Sequence, residues 1–189
     1  MKITKTLCVT NREEWRAWLK RHHATEPEIW LVYYRKETGK PCIPFNDAVE
    51  EALCFGWIDS TLKPMTNGCF AQRFTPRRPR SPLSEMNKER IRRLIKNNRM
   101  TRFGLARIEH AFQEHKTKKR ERFEIPVDIL NALKKDPDAW EHFNRFPESY
   151  KRIRIGWIDA ARRRPEVFQQ RLRYFLKMTA QNKRFGMVQ

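Results

Sequence analysis

Positions 73–102 read RFTPRRPRSPLSEMNKERIRRLIKNNRMTR, eleven Arg and Lys against Glu85 and Glu89. A guanidinium offers a fixed fork of donors that grips phosphate or carboxylate in pairs. A helix opening behind such a strap adds backbone N–H groups aimed at an anion. Arg73, Arg77, Arg78, Arg80, Arg90 and Arg93 are therefore the candidate anion-binding residues, and the partner they imply is nucleic acid or another polyanion. The same arginines can instead hold the protein's own carboxylates and helix C-termini. Phe70, Phe74 and Phe103 interleave with the strap, at strand and helix spacings that fit a core better than a stacking platform.

Just upstream, Trp57, Asp59 and Ser60 form a candidate pocket. Asp59 and Ser60 are an acid beside a hydroxyl, but no third residue is identifiable to orient them for catalysis. Asp59 is expected to accept hydrogen bonds from Arg or backbone N–H groups. The sequence has no G-x-S-x-G, no Walker A and no H-E-x-x-H, and its six Gly leave no phosphate-cradling loop. His110 and His142 occupy helix positions suited to packing or surface roles. Cys8, Cys42, Cys54 and Cys69 include no C-x-x-C, and His22 and His23 stand at no metal-ligand spacing from them. No catalytic residue, metal or cofactor is assigned. The expected class is a binding protein, with a small enzyme built on Asp59, Ser60 and the strap as one rival.

The net charge of +19 draws polyanions over the whole surface. With 39% hydrophobic and 33% charged residues, the chain is a folded protein under a heavily charged skin. The start MKITKTLCVTNREEW has neither the apolar run nor the cleavage site of a secretory signal, and no later stretch has the length and apolarity of a membrane span. The expected compartment is the cytoplasm, where the four cysteines stay thiols.

The elements that must carry these residues follow from periodicity. TLCV alternates weakly, and T-x-x-E at Thr10 and Glu13 predicts a capped helix over 11–22 with Trp15, Trp18 and Leu19 on one side. EIWLVYY is the clearest strand, and Gly39 marks the turn after it. NDAVEEALCF predicts a helix capped at Asn46 or Asp47 and closed by Gly56 in the left-handed region. A strand from Trp57 to an edge-marking Pro64, an Asn67-Gly68 turn and CFAQRF make a hairpin. Ser84 and Thr101 cap two further helices, one with Ile91, Leu94 and Ile95, the other with Leu105, Ile108 and Phe112. EHKTKKRER has no apolar residue and reads as an exposed linker. Helices then follow Pro126, Pro137 and Pro147, the last helix carrying Phe168, Leu172, Phe175 and Leu176 on one stripe.

The tetrapeptide GWID occurs at 56–59 and again at 156–159. The first copy crosses from a helix end into a strand. The second lies inside a helix over 148–163, with Tyr150, Ile153, Trp157 and Ala161 on its buried side. A duplicated unit should extend through a whole supersecondary element, and these flanks differ in period, so the repeat is coincidental. Both Trp read as core anchors whose indole N–H groups need partners.

The blocks EIWLVYYRKETGKP, FNDAVEEALCFGWIDSTLKP, QRFTPRRPRSPLSEMNKERIRRLI, NRMTRFGLARIEHA and IPVDILNALKKDPDAWEHFNRFPESYKRIRIGWIDAARR, in this order, resemble the bacterial YdeI/OmpD-associated (bacteriocin-protection) family over about 11–172. Two steps depart from that pattern. Leu83 stands where the family has Trp, and Val167 and Phe168 where it has Thr and Arg. The resemblance implies protection against bacteriocins or cationic peptides, through a protein partner, and a periplasmic location, and it brings no catalytic residues. Charge opposes sequestration of a cationic peptide by a +19 chain. The expected architecture is α+β: a mostly antiparallel sheet with packed helices over 1–115, a basic linker over 116–124, and an all-helical tail domain over 125–189.

Overall fold

The computed structural model describes residues 2–66, 68–117 and 123–186, with the side chains of 111–117 left aside. The chain divides into two compact units, Met1–Pro82 with Arg90–Glu114 and Leu83–Glu89 with His115–Gln189. The fold is α+β, with the strands in the amino-terminal part and a helical carboxy-terminal part.

In the first unit, strands β1 (Thr6–Leu7), β2 (Ile29–Tyr34), β3 (Trp57–Pro64) and β4 (Cys69–Pro76) form one sheet in the order β1-β2-β4-β3. β2 pairs antiparallel with β4, β4 antiparallel with β3, and only the short β1–β2 pair is parallel. β2 is buried at five of its six positions, so its run of β-branched and aromatic residues alternates little. Pro64 ends β3 at the sheet edge, the position that tolerates a residue without a ladder donor. The register of β3 shifts between Asp59 and Leu62, a bulge that leaves Ser60 and Thr61 out of the ladder. Gly68 in the hairpin turn has φ +69, while Asn67 lies outside the described residues.

Helix α1 (Arg12–His22) brings Trp15 and Leu19 into the core, Trp15 meeting Phe74 edge-on and donating to the Ala48 carbonyl at 3.0 Å. Its cap is Asn11 rather than Thr10. The Asn11 side chain accepts from the Glu14 N–H, and Glu14 returns to the Thr10 N–H at 2.8 Å. An N-x-x-E box overlaps the T-x-x-E box one residue on, and Asn caps at least as well as Thr. Helix α2 (Phe45–Cys54) starts behind Pro44, before the expected Asn46 or Asp47 cap, because those two side chains are engaged by arginines instead. Gly56 follows it at φ +76. Helices α3 (Glu85–Lys96) and α4 (Arg102–Thr117) are capped by Ser84 and Thr101 as the sequence predicts. Ile91, Leu94 and Ile108 are buried, whereas Ile95 and Leu105 are exposed. Of the expected linker, 116–117 end α4 and 118–122 lie outside the described residues.

The second unit packs α5 (Val127–Lys134), α6 (Pro137–Arg145), α7 (Glu148–Asp159) and α8 (Pro165–Ala180) around a core that includes Ile129, Phe143, Tyr150, Ile158, Phe168 and Phe175. α7 stops four residues short of the expected end, closing at Ala160 before Pro165 opens α8. Phe168, one of the two departures from the family pattern in this stretch, is buried in that core. Among the described residues no helix is long and apolar enough to cross a membrane.

Candidate anion-binding residues and ligand pocket

Helix α2 carries three acids, Asp47, Glu50 and Glu51, at spacings that put them on one side. Arg12 of α1 reaches Asp47 at 2.6 Å and Glu50 at 2.7 Å. Burial works against the Arg12 charge, but its bonds to Asp47 and Glu50 outweigh that and hold it above its ordinary value. Glu51, fully buried, meets Arg16 at 2.7 Å and Arg99 at 2.6 Å. Arg93 of α3 pairs with Glu50 and Arg90 donates to Asn46 at 2.7 Å. Cys54, in the last turn of α2, is a thiol that burial, with help from Glu51, pushes up to about 11.

The arginine strap is thus largely turned inward. Arg73 holds Glu28 through Nε at 2.7 Å. Arg77, 4% exposed, gives one Nη to the Ser81 and Pro82 carbonyls and the Ser81 hydroxyl, stapling the Pro-rich turn. With Arg90 and Arg93 committed to α2, Arg78 and Arg80 are the two strap candidates whose side chains are exposed and form no bond among the described residues. Arg80 sits at φ +56.

Trp57, Asp59 and Ser60 separate in space. Ser60 is exposed in the bulge, its hydroxyl 3.4 Å from the Arg73 carbonyl. Asp59 is half-buried, and burial pushes its carboxyl up, opposed by its own N–H and by the charges of Arg90 and Arg77. Tyr33 lies within electrostatic reach, its buried hydroxyl unpaired and its pKa raised by burial first, then by Cys42 and Asp59. Trp57 alone of the three lines a pocket of about 290 Å³. Its indole N–H donates to the His23 carbonyl at 3.1 Å. Phe55, Trp57 and Pro76 come from the helix-to-strand step and the end of β4, and His23, Ala24 and Glu26 from the turn after α1. Phe103 and Arg107, one helical turn apart on α4, complete the wall.

In the second unit Arg154 is 4% exposed, with Nε and Nη2 making no hydrogen bond. Its guanidinium lies over the rings of Tyr150, Trp157 and Phe185 at 5.5, 5.8 and 4.6 Å. Arg171 of α8 lies over Trp157 at 4.7 Å, so the ring carries two guanidinium groups. Tyr174 extends this surface edge-on to Phe185 and is 46% exposed. Trp157, expected on the buried side of α7, is half-buried: it packs against the core of the unit and also carries the two arginines. Burial lowers the pKa of Arg154 and of Arg171, the latter with help from Arg164. Sequence reasoning centred on the strap and missed this cluster, although Arg154 and Trp157 stand one turn apart on a predicted helix.

Residues 7–107, more than half of the 189-residue chain, match the family described as Domain of unknown function (DUF8412). The chain belongs to that family. Residues 122–182 match a second family, described as Bacteriocin-protection, YdeI or OmpD-Associated. The resemblance read from the sequence therefore holds in the helical tail, while the amino-terminal span belongs with the DUF8412 proteins. No curated protein and no solved structure matches the chain. All residues of the 290 Å³ pocket fall in the DUF8412 span, and Arg154, Trp157, Arg171 and Tyr174 fall in the second. Among the described residues no group of three or more His, Cys, Asp or Glu is placed to hold a metal ion.

Proposed function

We propose that this DUF8412 protein is a cytoplasmic binding protein for an anionic polymer, nucleic acid being the chemistry that fits its second unit. One observation carries the reading: Arg171, Trp157, Phe185 and Tyr174 form an arginine–aromatic surface over the buried Arg154, and among the described residues neither arginine is bonded to a carboxylate. Guanidinium groups meet phosphates, and partly exposed rings take unstacked bases, the combination used to hold single strands. The chain-wide charge of +19 gathers the polymer, and Arg78 and Arg80 add exposed cations in the first unit.

Fluorescence anisotropy of labelled single-stranded DNA and RNA oligomers, read across a salt series, tests it. Affinity falls as salt rises, with a slope of about −0.7 per phosphate contact for single strands. Arg171→Gln blunts that slope, and Tyr174→Ala, at an exposed ring, weakens binding by the loss of about one stacked base, roughly 1–3 kcal/mol. Absence of binding at low salt ends the nucleic-acid reading.

The second reading is protection through a protein partner, favoured by the description of the family that residues 122–182 match. A partner for this chain must be acidic, since a +19 surface repels cationic peptides. Retention of the chain on an immobilised acidic protein, with no competition from oligomers, would favour this alternative.

A further inference from the structure

We infer that the 290 Å³ pocket of the first unit is a binding site for a small aromatic acid: one planar ring system with a single anionic group. The site is separate from the arginine–aromatic surface and stands or falls independently of it. Four of its lining side chains are rings, His23, Phe55, Trp57 and Phe103, with Phe55 and Phe103 packed against His23 at 5.3 and 4.4 Å between centroids. Rings favour an offset or edge-on aromatic guest. Trp57 is held rigid by its bond to the His23 carbonyl, so the slot is set before any ligand enters. Gly56 keeps it open: at φ +76 it has no side chain, and a Cβ there would lie 2.6 Å from Arg107 Cγ.

The charges at the mouth decide the sign of the guest. Glu26 is already paired with Lys5 at 2.6 Å. Arg107 has one long bond, 3.4 Å to the Arg77 carbonyl, and an exposed side chain with further donors to spare. The available charge is therefore positive, and a guest with a carboxylate, sulfonate or phosphate gains a charge-assisted bond that a neutral or cationic one does not. His23 lines the slot in a fixed orientation, because its Nδ1–H donates to the Leu19 carbonyl at 2.9 Å; its Nε2 is buried and has no partner among the described residues.

Isothermal titration calorimetry of the full chain with indole-3-acetate, indole and tryptamine tests the assignment, because the three share a ring and differ in charge. Indole-3-acetate binds tightest, about tenfold tighter than indole for one charge-assisted bond, and tryptamine weakest. Arg107→Gln, which keeps the apolar stem beneath Gly56, brings indole-3-acetate down to the level of indole. Ala106→Trp, placed on the exposed rim, blocks all three while the thermal midpoint shows the fold intact. The inference is overturned by any of three results: no heat from indole-3-acetate at millimolar concentration, tryptamine binding as well as the acid, or Arg107→Gln binding the acid unchanged.

Discussion

The Arg99 guanidinium lies 2.6 Å from the carboxylate of Glu51, a side chain that is 0% exposed and also meets Arg16 at 2.7 Å. A buried charge that loses its partners is far more costly than the pair is favourable, by about 3–5 kcal/mol when one member is removed. Glu51→Gln keeps the shape and deletes the charge, leaving Arg16 and Arg99 facing a neutral amide. Urea unfolding should show a loss of that size. Arg99→Gln, with Arg16 still in place, should lose less than half as much. Equal losses would mean that the acid is not the hub of the network.

The acids of this network were visible in the sequence and their partners were not. Asp47 read as a helix-cap candidate and Glu50 and Glu51 lie in the helix predicted behind it, but Arg93 and Arg99 stand 43 and 48 positions away from the two glutamates. No local period joins residues at such separations; only the tertiary fold brings α3 and the turn after it to α2. For the same reason the sequence left open whether the strap arginines face an anion or the protein's own carboxylates. The hairpin, the Ser84 and Thr101 caps and the Pro-led helices rest on neighbours within about four residues and were legible. The pocket was half legible. GWID drew attention to Trp57, and Phe103 and Arg107 are one turn apart, but His23 joins them only through the turn after α1.

Two glycines separate strain of conformation from lack of space. Gly56 has φ +76, and a Cβ there meets the flexible stem of Arg107. Gly104 sits in α4 with ordinary helical dihedrals, yet a Cβ there would lie 2.7 Å from the Cys54 carbonyl carbon and closer still to its oxygen. A backbone carbonyl cannot step aside as a side chain can. Gly56→Ala should cost about 1–2 kcal/mol for the left-handed conformation, and Gly104→Ala about 3 kcal/mol or more for the overpacked helix crossing. Unfolding midpoints of the two variants check the order.

Burial raises the Asp59 carboxyl above its ordinary value despite Arg90 and Arg77. An acid whose folded value exceeds its unfolded one binds protons more strongly when folded. Its contribution therefore weakens as pH rises from about 3.9, the unfolded value, through the folded one, and stays unfavourable above it. Asp59→Asn removes this dependence. The variant should be the more stable of the two at neutral pH, and the gap should close as pH falls through that window. A gap that widens toward low pH would place the folded value below the unfolded one, with the arginines outweighing burial.

Arg154 is the test of whether the second unit keeps its arginines for the fold or for a ligand. Three rings face the guanidinium. Each contact contributes about 0.5–2 kcal/mol. Against them stands the desolvation of a buried cation with, among the described residues, no carboxylate and two unpaired nitrogens, several kcal/mol in its own right. The terms nearly cancel, so replacing the arginine with an apolar chain of similar length should leave the fold untroubled. Arg154→Met is expected to match or exceed the parent in urea unfolding and to weaken affinity for single-stranded oligomers only through the rings that the guanidinium holds in place, since Arg154 itself is buried. A variant that binds oligomers normally but unfolds more easily by about 3 kcal/mol would assign Arg154 to the fold, and the anionic-polymer reading would then have to rest on Arg171 and Tyr174 alone.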